Sequence, residues 1–245
     1  MTPCALIPVY NHYATLESLV GTLRAQSLPV ILVDDGSSEV TRRTIDELAA
    51  ADAQVTALHH AHNRGKGAAF LTGLEAAAEA GYTHVLQIDA DGQHDPRQAG
   101  LLLDLARADE LALISGTPAY DASVPAVRYY GRWITHLLVW LETWSRELKD
   151  SMCGYRVYPV AATLAAFAEQ PVGRRMDFDT EIMVRLFLSG TRVRFVPVDV
   201  RYPVDGLSNF RMLRDNLRMT WLHFRLLAGM PLRLASRIIR RRSTS

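Results

Sequence analysis

Cysteine is scarce in this 245-residue chain: Cys4 and Cys153 are its only two, too few for a disulfide framework or a four-cysteine zinc site. No apolar run approaches the roughly 18–20 residues a membrane-spanning helix needs. The segment Met1 to Pro8 has neither a positive stretch nor a long apolar core, so it predicts no secretory signal. A Gly-x-Gly-x-x-Gly fingerprint is missing after the first apolar run, which disfavours a nicotinamide-dinucleotide enzyme. Gly65-Lys66-Gly67 is not part of a full Gly-x-x-x-x-Gly-Lys-Ser/Thr phosphate loop. What remains is ordinary globular composition, 49% hydrophobic and 22% charged, enough for one sizeable α/β domain. A soluble, cytoplasmic protein is expected.

The net charge of +1 is unevenly spread. From Arg201 onward there are ten arginines and two aspartates, a charge of +8, leaving 17 basic and 24 acidic groups, or −7, in the first 200 residues. A basic tail on an acidic body suits an anionic partner. Exposed aromatics are not interleaved with these arginines, so nucleic acid is not the expected one. The candidate is peripheral contact with an anionic lipid surface on the inner face of the cell membrane. A solvated helix face is the competing account.

Apolar runs at 4–9, 30–33, 55–58 and 83–88 read as strands, and amphipathic stretches between them read as helices. Val40, Ile45 and Leu48 are expected on the inner face of the second helix, and Phe70, Leu71 and Leu74 on that of the third. Asp95 with Pro96 forms a helix start. This alternation predicts a mainly parallel sheet with helices on both faces. Further on, a long helical pattern from Arg128 to Lys149 carries Trp133, Leu137, Trp140 and Trp144 on one face, which is expected to be core or a contact between subunits, with an acceptor lipid groove as the competing account. Asp150 to Arg156 reads as a loop. Helices follow near 161–168 and 179–189, then a strand from Arg192 to Val200. The last helix, about 208–227, has Phe210, Leu213, Leu217, Trp221 and Phe224 on its apolar side and Arg211, Arg214, Arg218 and Arg225 as a stripe along another. No repeat or linker divides the chain. One domain is expected over 1–230, with a basic tail over 231–245.

Ligands of open parallel sheets bind beyond the carboxyl ends of the strands. Three polar clusters fall there: Tyr10-Asn11, Asp34-Asp35 and Asp89-Ala90-Asp91. In an extended segment, Asp89 and Asp91 project to the same side, and paired carboxylates repel one another unless a cation or proton intervenes. Oxygen ligands favour Mg²⁺ or Mn²⁺, commonly completed by substrate phosphates. The alternative is a pair of solvated acids capping the next helix. Asp34 and Asp35 either accept hydrogen bonds from a nucleobase or ribose or make a turn with Gly36. Gly65-Lys66-Gly67, at a helix start, offers backbone amides and a lysine to phosphate.

Together, Ile7-Pro8-Val9-Tyr10-Asn11, Val33-Asp34-Asp35-Gly36-Ser37, Asn63-Arg64-Gly65-Lys66-Gly67 and Ile88-Asp89-Ala90-Asp91-Gly92-Gln93-His94 resemble family 2 glycosyltransferases of the GT-A fold, in the dolichol-phosphate mannosyltransferase-like branch. Asp150 to Arg156, Glu181 and Gly206-Leu207-Ser208 extend the likeness over nearly the whole chain. The resemblance implies a Rossmann-like GT-A sheet, with donor binding over about 1–120 and acceptor binding over about 121–230. It implies a GDP- or UDP-sugar donor contacting Pro8, Tyr10, Asn11, Val33, Asp35, Lys66, Asp89, Ala90 and Asp91. Asp89, Asp91 and Gln93 would hold the Mg²⁺ or Mn²⁺, and transfer would invert the anomeric centre by single displacement. A hydroxyl acceptor would need a general base, with Asp150 first and Asp179 and Glu181 as alternates; the competing accounts are that Asp150 caps a turn and that Glu181 pairs with a nearby arginine.

The chain departs from the branch twice. Gly116-Thr117-Pro118 stands where an arginine usually follows Gly-Ser, and Pro203, Asp205 and Asn209 stand where basic residues usually surround Gly-x-Ser-Lys. Arg128, Arg132 or Arg156 would then meet an acceptor phosphate; otherwise the acceptor is a hydroxyl on a lipid or lipid-linked glycoconjugate, the expectation preferred here. A polyprenyl-phosphate glycosyltransferase is the alternative. Remoter ones are a sugar nucleotidyltransferase, whose glycine-rich basic loop after the first strand is absent, and a non-catalytic nucleotide-sugar-binding protein.

Overall fold

In the computed structural model of the protein, the described residues are 1–118, 126–170, 172–200 and 212–229, with the side chains of 126–132 and 212–213 excepted. Arg128 and Arg132 lie outside the described side chains, as do the last-helix residues Phe210, Arg211 and Leu213; the Gly206-Leu207-Ser208 motif and the tail also lie outside the described residues.

Among the described residues, seven strands form one sheet: β1 (Pro3–Val9), β2 (Val30–Asp34), β3 (Val55–His59), β4 (His84–Gln87), β5 (Leu113–Pro118), β6 (Arg156–Pro159) and β7 (Val193–Val198). Their order is β3-β2-β1-β4-β6-β5-β7. Only β6 runs antiparallel to its neighbours β4 and β5; the other pairings are parallel. The helices are α1 (Leu16–Ala25), α2 (Glu39–Ala51), α3 (Lys66–Glu79), α4 (Ala99–Ala108), α5 (Ala126–Thr143), α6 (Val160–Glu169), α7 (Phe178–Leu188) and α8 (Met212–Ala228). A single 3-10 turn (Pro96–Gln98) leads into α4, and Asp95 accepts the Arg97 amide there.

Alternation along the strands splits the core in two. Ala5, Ile7 and Val9 of β1 join Val30 and Leu32 of β2 on the face covered by α1, α2 and α4. Cys4, Leu6, Ile31 and Val33 face the layer of α3, α5, α6, α7 and α8. This is the period-2 pattern of strands buried on both faces. The chain runs β1 to β2 to β3 in one direction and then returns to place β4 on the other side of β1. The carboxyl ends of β1 and β4 therefore flank a topological switch point, where such sheets bind ligands.

Several expectations are corrected. Val40 is 57% exposed while Thr41 and Ile45 are buried, because the buried stripe of α2 follows i, i+4 from Thr41. The loop expected at Asp150 is found over 150–155, but its last residue, Arg156, opens an unexpected strand of four residues, β6. Helix α5 ends at Thr143, six residues early, because Trp144 adopts a left-handed φ of 50° and Trp140 Nε1 donates to the Leu148 carbonyl at 2.9 Å, folding the chain back. Its tryptophan face is not core: Trp133, Leu137 and Trp144 are exposed, while Thr135, Val139 and Glu142 turn inward. In α8, Leu217, Trp221 and Phe224 are 62, 60 and 60% exposed, so exposed aromatics do stand among the arginines of this helix, against expectation. The face turned inward carries Asp215, Leu222, His223 and Leu226. Its orientation is set by polar pairs: His223 Nδ1 lies 2.6 Å from Glu142 Oε1 of α5, and Arg225 donates to both oxygens of Glu181 at 3.0 and 2.9 Å.

Candidate active site

Loops after β1, β2, β3 and β4 meet at the switch point. Asn11, itself left-handed at φ 59°, accepts the Ser38 amide on Oδ1 at 2.8 Å, and its own amide donates to Ser37 Oγ at 3.1 Å. It thus clamps the first loop to the second. Pro8 and Tyr10 are half-buried at the same edge, whereas the Val33 side chain is wholly buried in the core.

The two aspartates after β2 do different work. Asp34 Oδ1 accepts the Ser37 amide at 2.8 Å and Oδ2 lies 3.1 Å from His59 Nδ1. Burial works to raise the Asp34 carboxyl, but the bonds to Ser37 and His59 outweigh it and hold it below the usual carboxylate range. Asp35 Oδ1 accepts the Arg64 amide at 2.8 Å and Oδ2 the Gly65 amide at 2.7 Å, with His60 Nδ1 at 2.8 Å from Oδ1. His60 was not singled out in the sequence, although His59-His60 stands at a strand's carboxyl end, the place that marks the other clusters.

Most backbone amides at the start of α3 are already taken, against expectation: Asp35 holds that of Gly65. Gly67 and Ala68 donate to the Arg174 carbonyl at 3.0 and 3.3 Å, and Arg175 reaches Asn63 Oδ1 at 2.6 Å. The lysine alone faces the acids. Lys66 Nζ lies 2.7 and 3.0 Å from the two oxygens of Asp89 and 2.7 Å from Asp179 Oδ2. Gln87 Nε2 fixes the other Asp179 oxygen at 2.9 Å. Although burial opposes the charge, Asp179 and Asp89 hold the ammonium above its ordinary pKa. A Cβ on Gly154 would stand 2.5 Å from Asp89 Oδ2 and 2.8 Å from Lys66 Nζ, so the backbone approaches the pair as only glycine permits.

Asp89 and Asp91 are both half-buried. Burial works to raise Asp89, yet Lys66 and then His94 draw it below the usual range. Asp91 is raised, first by burial and then by Asp89. Two close carboxylates, one pushed toward its proton, fit a divalent cation whose remaining ligands are substrate oxygens and water. Among the described residues no group of three or more His, Cys, Asp or Glu side chains could hold a metal unaided. Gln93 contributes its amide to Asp91 Oδ1 at 3.0 Å, and the Ala90 carbonyl accepts the Thr15 hydroxyl.

The remaining expected residues are engaged elsewhere. Asp150 is buried, and its Oδ1 accepts the amides of Met152 and Cys153 at 2.8 and 3.0 Å. Glu181 is fully buried between Arg185 and Arg225 and also accepts the Gly173 amide at 2.8 Å. Arg156 meets no acceptor: it is wholly buried, and it donates to the Asp179 carbonyl at 2.6 Å and the Ser151 carbonyl at 2.7 Å.

The profile of glycosyl transferase family 2 matches residues 4–172. The chain belongs to glycosyl transferase family 2. This glycosyltransferase is 28% identical to the undecaprenyl-phosphate mannosyltransferase of Micrococcus luteus over 207 residues, spanning 81% of this chain and 83% of that one. It is 27% identical to the UDP-N-acetylglucosamine–dolichyl-phosphate N-acetylglucosaminyltransferase of Methanococcus voltae over 218 residues, 80% of this chain and 84% of the relative. Its fold is that of glucosyl-3-phosphoglycerate synthase from Mycobacterium tuberculosis, solved with Mn²⁺ and UDP-glucose: TM-score 0.66, 17% identity, 95% of this chain and 78% of that one. The α/β fold is therefore GT-A.

Proposed function

We propose that this glycosyltransferase transfers a hexose from a GDP- or UDP-sugar to a polyprenyl phosphate, inverting the anomeric centre in one displacement. The observation that carries the acceptor is the state of the three carboxylates expected to act as base. The Asp150 carboxylate receives two turn amides, Asp179 is held by Lys66 and Gln87, and Glu181 is locked between two arginines. A hydroxyl acceptor needs a base to take its proton. A phosphate monoester carries about −1.5 to −2 charge at pH 7 and attacks without one. The names of the two relatives, both lipid-phosphate transferases, support this choice over the hydroxyl preferred from sequence.

In this reading, Asp35 meets the base or ribose, supported by Pro8 and Tyr10. Asp89 and Asp91 hold Mg²⁺ or Mn²⁺ on the donor diphosphate, with Gln93 presenting its amide to Asp91. The bound metal neutralises charge on the departing nucleoside diphosphate. Lys66 adds a positive charge beside the same diphosphate. Arg128 and Arg132 are the cations left to meet the acceptor phosphate, since Arg156 is spent on carbonyl oxygens.

A lipid acceptor also needs the enzyme at a membrane surface. No helix among the described residues is long and apolar enough to cross one. Helix α5 and the turn after it expose Trp133, Ile134, Leu137, Leu141 and Trp144, and α8 exposes Leu217, Trp221 and Phe224. Arg146, Lys149 and Arg214 are exposed on the same segments. Apolar side chains with basic neighbours suit an anionic bilayer, each basic group adding about 1 kcal/mol near the surface.

The test supplies GDP-mannose, UDP-glucose or UDP-N-acetylglucosamine with Mn²⁺ and, in parallel, a polyprenyl phosphate or the matching polyprenol. Labelled glycolipid is expected from the phosphate alone. Product from the alcohol alone overturns the acceptor assignment.

A further inference from the structure

We propose that Lys66 is a resident cation that keeps the Asp89–Asp91 pair closed to free divalent metal, so that metal enters together with the donor diphosphate. The inference rests on the metal role proposed above for those two aspartates.

The ammonium is seated by the fold. Lys66 is the first residue of α3. Asp35 holds the Gly65 amide just before it, and the Arg174 carbonyl holds the Gly67 amide just after it. From that anchored backbone, Nζ reaches both Asp89 oxygens, at 2.7 and 3.0 Å, and Asp179 at 2.7 Å. Gln87 keeps Asp179 in place from its other oxygen. The Gly154 backbone packs against both Asp89 and Lys66. With both Asp89 oxygens bound to an ammonium, a second cation there meets like charge within a few ångströms, and that repulsion is weakly screened in a half-buried site.

A nucleotide diphosphate changes the balance. It brings several negative oxygens, which serve both as metal ligands and as partners for the ammonium. A lysine has three donors on a flexible stem, so Nζ can keep Asp179 and turn a second donor from Asp89 to phosphate. The freed Asp89 carboxylate then faces the cation. Metal and nucleotide are thereby coupled, and thermodynamic linkage makes the coupling reciprocal.

The experiment follows free Mn²⁺ by electron paramagnetic resonance in titrations of the full chain, with and without UDP or GDP and corrected for Mn²⁺ held by nucleotide alone. Wild type should bind Mn²⁺ at least ~10-fold more tightly when nucleotide is present. Lys66→Met should bind nucleotide-free Mn²⁺ about 10-fold more tightly than wild type and lose most of the coupling. Lys66→Arg, which keeps the charge, should resemble wild type. Equal wild-type affinity with and without nucleotide overturns the proposal, and this arm needs no variant to fold. So does an unchanged nucleotide-free affinity in a Lys66→Met protein whose thermal unfolding remains cooperative. The Asp91→Asn arm tests the underlying site separately: Mn²⁺ bound with nucleotide as tightly as in wild type removes the metal assignment itself.

Discussion

The His60 ring bridges Asp35 and Thr72: Nδ1 lies 2.8 Å from Asp35 Oδ1 and Nε2 lies 3.0 Å from Thr72 Oγ1. An ionised carboxylate only accepts, so Nδ1 carries the proton and Nε2 accepts from the threonine hydroxyl. That tautomer fixes the carboxylate assigned to the nucleoside. His60→Ala removes a hydrogen bond to a charged group, worth about 1.5–3 kcal/mol, and should weaken nucleoside diphosphate binding roughly 10-fold or more. Calorimetry would show it; kcat at saturating donor should change much less. Unaltered affinity with reduced kcat would contradict the positioning role.

Gly154→Ala places a methyl group against Asp89 Oδ2 and Lys66 Nζ. Both are side-chain ends that can yield, so the fold should survive while the site shifts. A misplacement of about 1 Å can cost on the order of 100-fold. We expect kcat/KM to fall at least 10-fold with thermal unfolding nearly unchanged, measured by steady-state transfer and calorimetric scanning.

Asp91→Asn should separate stability from activity in a pH-dependent way. The folded protein holds the Asp91 carboxyl above its ordinary pKa, through burial and then Asp89. Its stabilising contribution is thus fully present below the ordinary carboxylate range and lost as pH rises through the raised value. In chelator, the variant should therefore match wild type well below that range and unfold at higher temperature near neutrality. Metal-dependent transfer should be abolished at every pH. Thermal scans across pH, paired with transfer assays, check both halves.

Glu181→Gln leaves Arg185 and Arg225 facing a neutral amide in a buried spot. Breaking a buried ion pair costs about 3–5 kcal/mol. Arg225 retains contact with water, which reduces its share, so a loss of about 2–3 kcal/mol in urea unfolding is expected. Folded variant should still transfer sugar. A catalytic base would give the reverse: intact stability and lost turnover.

Trp221→Ser combined with Phe224→Ser removes two rings that are stacked 5.5 Å apart and exposed on α8. Flotation with anionic vesicles should drop several-fold, and residual binding should weaken further with salt. Equal recovery of variant and wild type would exclude α8 from lipid contact.

Strands β1 and β2 were legible because each is a buried apolar run ended by polar residues, and β4 because Val85 and Leu86 lead up to the acidic cluster at Asp89. Strand β6 was not: its four residues begin with Arg156 and end with Pro159, and no local pattern reveals that carbonyl oxygens await the guanidinium. The face of α8 was misread for a related reason. Its arginines and aromatics are amphipathic in either orientation, and only the pairs with Glu142 and Glu181, 81 and 44 residues away, choose between them. The acidic motifs of the site were readable as residues, but not the company they keep. Gln87 and Asp179 are 92 positions apart, and nothing in either neighbourhood announces the other. For Asp150 a turn cap and for Glu181 a nearby arginine were open from sequence, and both are found; only the second partner of Glu181, Arg225, 44 residues away, leaves no mark on local sequence.

The Arg174 carbonyl stoppers the front of α3, and four residues later α7 begins with the helical turn bearing Asp179, which reaches back to Lys66. The segment leading into α7 is thus riveted to the helix that carries Lys66, the lysine proposed to meet the donor. Strain applied at either end must register at the other, so substitutions among these anchors should disturb the handling of both substrates at once rather than either alone.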